Sequence, residues 1–202
     1  MSEWWTYRLS SFLMFSPRTY WRLLELYHKD MWPLQFLALG VGLLLLWLAM
    51  YRGAAATRWM FALLALAWLW VGWAFHWQRY AIINWGARYL AVAFAVEALL
   101  LLGFGVLPTR SAPRIASSGV RSVGSLFAVL GIVAYPLVPL MIGLPWSRSE
   151  LFGLMPEPTA LATLGLLLAS RALHRVWLMV IPMLSLLVGA ATLWLVSHPP
   201  FG

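Results

Sequence analysis

Long uncharged runs separated by short, arginine-bearing loops occupy nearly the whole chain. The stretch from Trp32 to Tyr51 holds no charged residue, and Trp59 to Trp77 follows it. Tyr89 to Leu107 is broken only by Glu97. Ser122 to Ser147 contains Pro136, Pro139 and Pro145, which predicts a bend near Pro136 to Pro139. Leu151 to Ser170 is the least regular run, because Pro156, Glu157 and Pro158 sit in its first third; a half-buried, re-entrant start is the natural outcome. Val176 to Ser197, with Pro182 inside, closes the series. A bilayer core takes about 20 apolar residues per helix. These runs alternate poorly at period two and are too long for barrel strands, so helices are the way to satisfy the backbone in lipid. The pattern predicts an all-α membrane protein with six transmembrane helices and both termini on one side.

A different element precedes them. Ser16-Pro17 reads as an N-cap with proline at the first helical position. Arg18, Arg22, Glu25 and Lys29 recur on one face, and Tyr20, Leu23, Leu24 and Tyr27 fill the other. This predicts an amphipathic helix lying in the membrane interface. The organisation is thus an N-terminal segment 1–31, a helical bundle 32–197 and a short tail 198–202. Basic residues divide evenly between the two sides once Arg8 and the loop arginines Arg52, Arg110, Arg114 and Arg171 are counted. The positive-inside rule is therefore tied. Setting the interfacial helix aside leaves a lean toward both termini outside.

Composition agrees with the pattern. Hydrophobic residues make up 63% of the 202 and charged residues 10%, well short of the roughly 25% charged in a soluble domain. The net charge of +8 is spread thinly along loops, with no basic stripe, so it reads as topology signal and headgroup contact rather than nucleic-acid binding. The chain has no cysteine, which excludes disulfides and thiolate chemistry. No cofactor is implied.

Few side chains carry chemistry. Glu97 lies near the centre of its run, where an ionised carboxylate costs at least a few kcal/mol (about) and so should be protonated, paired or facing a polar cavity. Tyr135, Thr163 and Ser185 are its candidate partners, by depth counted from the span ends. A second group, Tyr27, His28, Asp30, His76, Gln78, Arg79, Asn84 and Glu157, falls on a single membrane face in the six-span layout. It could form a polar site there or simply meet lipid headgroups. The histidines show no metal-ligand spacing. No catalytic constellation is visible, so the expectation is not an enzyme.

The chain resembles a family of bacterial polytopic membrane proteins catalogued as a domain of unknown function. The resemblance spans about residues 24–196. It rests on Tyr27 with Trp32-Pro33, Trp68-Leu69-Trp70 followed by His76, and Ile83-Asn84. Tyr135-Pro136, Phe152-Gly153, Pro156-x-Pro158-Thr159, Gly165 to Leu168 and Ile181-Pro182 continue it. The family pattern often has a small residue or cysteine where Glu157 stands, and a histidine where Leu144 precedes Pro145-Trp146. The resemblance implies a fold and no activity. Two expectations stay open. One is a small permease or proton-coupled carrier of the inner membrane, with Glu97 as the intramembrane acid. The other is a non-catalytic subunit or scaffold, with other membrane subunits or a second copy as partners beside the lipid bilayer.

Overall fold

The computed structural model describes residues 15–51, 53–106, 117–170 and 175–197. The tail 198–202, the first 14 residues with Arg8, and Arg52, Arg110, Arg114 and Arg171 lie outside the described residues. The described residues form helices joined by short loops, with no strand among them.

Helix α1, Pro17–Asp30, begins as its sequence dictates: Ser16 accepts from Thr19 N at 3.2 Å, and Pro17 takes the first position. Its apolar stripe does not face lipid. Tyr20, Leu24 and Tyr27 are buried against the rest of the protein. Tyr27 packs edge-on to Phe75, with centroids 5.4 Å apart, and donates to the Leu154 carbonyl at 3.1 Å. After a turn through the cis Trp32-Pro33 bond, α2, Leu34–Met50, leaves at 86° to α1.

Among the described residues, four helices are long and apolar enough to cross a membrane: α3 (Ala54–Ile83), α4 (Ala87–Val106), α5 (Ser118–Met141) and α7 (Val176–Ser197). The bent α1–α2 pair supplies a fifth if it counts as one span. The fold is therefore helical with four to five apolar spans by length. Two of the six expected runs fall short of that count alone. Helix α2 has 17 residues, and α6, Pro156–Ala169, has 14. The run expected from Leu151 becomes helical only at Pro156.

The reason α6 starts late is local. The first three amides of a helix have no intrahelical acceptor. In α6 those positions are Pro156, Glu157 and Pro158. Two lack an N–H, and the third is satisfied by the carboxylate of the same residue, Glu157. Before it, residues 149–155 form a turn through Gly153 at φ 74, a conformation that favours glycine. Thr159 Oγ1 clamps this turn, accepting from Gly153 N at 2.8 Å and donating to Met155 O at 2.6 Å. Leu151, Phe152, Leu154 and Met155 are buried, as irregular backbone must be if it lies at membrane depth.

Small residues let α5 and α6 touch. Gly124, Ala128 and Gly131 face Pro158, Ala162 and Gly165; a Cβ on Gly131 would sit 2.6 Å from Ala162 N, and one on Gly124 2.7 Å from Gly165 O. This is the small-residue packing of membrane helices. Past that contact the bond ladder of α5 changes spacing, as its prolines require. Residues 130–134 bond at the wider i to i+5 spacing, and Tyr135–Leu137 tighten to i to i+3. Around this core, large apolar side chains such as Trp47, Trp59, Leu66, Leu99 and Leu187 point outward. Such a surface suits lipid and not water.

Candidate functional site

The Glu97 grouping predicted from depth does not assemble. Glu97 is fully buried between helices, and neither carboxylate oxygen has a hydrogen-bond partner among the described residues. Thr163 is engaged elsewhere: it accepts from Trp68 Nε1 at 2.9 Å and donates to Thr159 O at 2.7 Å. Ser185 lines a cavity with Glu157, and Tyr135 lies in the field of Glu150 and Glu157. Depth counted from span ends failed here because α6 starts late, at Pro156, and α5 changes its bonding pattern at the prolines.

The membrane-face group splits into two layers. The outer layer ties α1 to its neighbours. Asp30 pairs with Arg79 at 2.8 Å, and His28 Nδ1 lies 3.2 Å from the Ser149 carbonyl. Asn84 folds back to accept from Gly86 N at 3.0 Å, and Gln78 is exposed. Glu25 joins this layer through Arg148, at 2.8 Å.

The inner layer is His76 and Glu157, and it contains more than the sequence pattern indicated. Both line a small, partly open cavity of about 20 Å³ together with Tyr20, Tyr80, Ser185 and Thr192. That is room for about one water. His76 sits where α3 widens to i to i+5 bonding over Val71–Tyr80, an irregularity often found at functional positions. Its ring packs 4.5 Å from that of Phe94, and neither nitrogen has a hydrogen-bond partner among the described residues. The Glu157 carboxylate lies against Gly189 of α7, in the space a Cβ would need.

Glu150 completes the layer. It precedes the Gly153 turn, is buried, and hydrogen-bonds Glu157 carboxyl to carboxyl. Its other oxygen has no partner among the described residues. Burial pushes the Glu150 carboxyl well above the usual carboxylate range, and the adjacent Glu157 adds to the effect. Two carboxyl groups in contact cannot both ionise cheaply, so ionising one disfavours ionising the other. No lysine or arginine pairs with either acid among the described residues; Arg148, two residues before Glu150, is committed to Glu25. The signal in the sequence was the spacing of two acids around Phe152-Gly153 with no basic residue between them. Tyr20 and Thr192 gave none, because they reach the site from remote elements. No group of three His, Asp or Glu side chains is placed to hold a metal ion among the described residues.

A profile described as "Family of unknown function (DUF6064)" matches residues 18–199, and the chain belongs to that family. No curated protein and no solved structure matches it.

Proposed function

We propose that this member of DUF6064 is a small multi-pass carrier of an inner membrane, coupled to protons, with the Glu150–Glu157 pair as its proton-binding site and Glu97 as a separate intramembrane acid. The carrying observation is the pair itself. A buried carboxyl, Glu150, and a half-buried one, Glu157, bonded to each other without a cation, sit at the positive end of a short helix. Broken helices whose ends point at a buried site are a recurrent device of carriers. His76 lines the same cavity as Glu157 and offers an imidazole beside the pair. On this reading α2 and α6 complete six crossings, with α1 in the interface and both termini on one side.

The test is infrared difference spectroscopy on the purified chain during a pH change. Wild-type protein should show a protonated-carboxyl band that titrates. Glu150→Gln and Glu157→Gln should each remove it while the protein stays folded. A band unaltered by either substitution, together with liposomes no more permeable to protons than empty ones, overturns the reading in favour of a scaffold subunit. The layout is checked separately. The chain lacks cysteine, so single cysteines report cleanly. Probes at Trp85 and Ser147 should label from the same side of the membrane.

A further inference from the structure

Outside the acid pair, α1, the start of α2 and the loop before Ser149 enclose a cleft of about 460 Å³. Arg22, Lys29, Gln35, Trp32 and Trp146 are in its wall. The charges there are unequal. Glu25 also reaches the cleft, but it is held by Arg148 at 2.8 Å, and Arg22 stands off at 3.8 Å. Lys29 pairs with no carboxylate among the described residues. The cleft therefore presents a net positive wall. Gln35 adds an independent demand. It is 5% exposed, its amide donates to the His28 carbonyl at 2.5 Å, and its Oε1 has no partner among the described residues. That oxygen calls for a donor. Trp32 and Trp146 are exposed at the rim, in the manner of indoles at a headgroup boundary.

We infer that this cleft binds the headgroup of an anionic phospholipid whose phosphodiester lies by Arg22 and Lys29 and whose hydroxyl donates to Gln35 Oε1. A phosphoglycerol headgroup has both features: one negative charge and neutral donors. Phosphocholine has no donor for Gln35. A lipid is the occupant, and not a free anion, because an apolar groove of about 200 Å³ begins at Leu34, the residue next to Gln35. Leu37, Val41, Leu63 and Leu66 line that groove, which suits an acyl chain.

The experiment is thermal denaturation of the detergent-purified full chain, titrated with short-chain phosphatidylglycerol, short-chain phosphatidylcholine or glycerol phosphate. Phosphatidylglycerol should raise Tm saturably, and the other two should act at least about tenfold more weakly. Lys29→Gln, an exposed change that leaves the core alone, should weaken the phosphatidylglycerol effect. Gln35→Leu should reduce the preference over phosphatidylcholine by about tenfold, the scale of one lost hydrogen bond to a buried group. Equal shifts with both lipids, or an unchanged preference in both variants, overturns the inference. A glycerol phosphate effect equal to that of the lipid overturns it as well, because it makes the cleft a free-anion site.

Discussion

Trp68 Nε1 donates to Thr163 Oγ1 at 2.9 Å, joining α3 to α6 inside the fully buried core. Thr163 in turn donates to Thr159 O, and Thr159 clamps the Gly153 turn. One chain of bonds thus runs from the centre of the bundle to the loop that carries Glu150. Thr163→Val keeps the shape and strands the indole N–H. It should cost about 1–3 kcal/mol, read from denaturant unfolding in detergent micelles. A cost no larger than that of an exposed control such as Thr19→Val would count against this role for the bond.

The α5–α6 contact admits no side chain at Gly165. A Cβ there would sit 2.6 Å from the Gly124 carbonyl and also against the Ala128 backbone. Gly165→Ala should therefore destabilise by about 1–3 kcal/mol, since two backbones must separate. Gly40 in α2 has nothing within 4 Å of its would-be Cβ. Gly40→Ala should stabilise by about 0.5–1 kcal/mol through helix propensity. Opposite signs for these two changes in thermal melts are the expected result.

Two groups outside the spans set opposite limits on stability with pH. Burial lowers the His28 imidazole below 6.5, so the unfolded chain binds more protons near that pH. The stability it contributes is present above 6.5 and is lost as pH falls through the lower folded value. Glu150 is raised well above 4.5, so the folded chain binds more protons. Its contribution is complete below 4.5 and is lost as pH rises toward the folded value. Melts from about pH 5 to 8 should show an acid-side loss that His28→Gln flattens. Glu150→Gln should raise Tm on the neutral side and leave the acid side nearly unchanged.

Glu97 offers a sharper contrast than its sequence context implied. Tyr135, Thr163 and Ser185 do not hydrogen-bond it, so Glu97→Leu strands none of them. Removing a desolvated acid that has no partner among the described residues should leave stability unchanged or increase it. Glu97→Gln should do the same. If Glu97 carries protons, both variants fold and both lose proton-coupled activity. A large loss of stability in Glu97→Leu would show that the carboxyl is bonded in the folded state.

Much of the layout was decided locally and could be read in advance. Hydropathy is a sum over neighbours in the chain, so the apolar runs located the helices; Val176 to Ser197 matches α7 at both ends, while Trp59 to Trp77 falls short of Ala54–Ile83 by more than a turn at each end. Ser16-Pro17 set the start of α1, and Pro156-Glu157-Pro158 delayed α6, because each acts through its own backbone donors. The pairing of polar groups was not local. Glu97 stood out in the sequence and has no hydrogen bond among the described residues, whereas Glu150, in the loop before α6, is buried against Glu157. Tyr20 looked like lipid-facing stripe and lines the cavity with His76. Those outcomes depend on where α6 begins in depth, how closely Gly124, Gly131 and Gly165 let two backbones approach, and how α1 folds back over α3. Each of these is a contact between remote segments, and only the tertiary structure determines it.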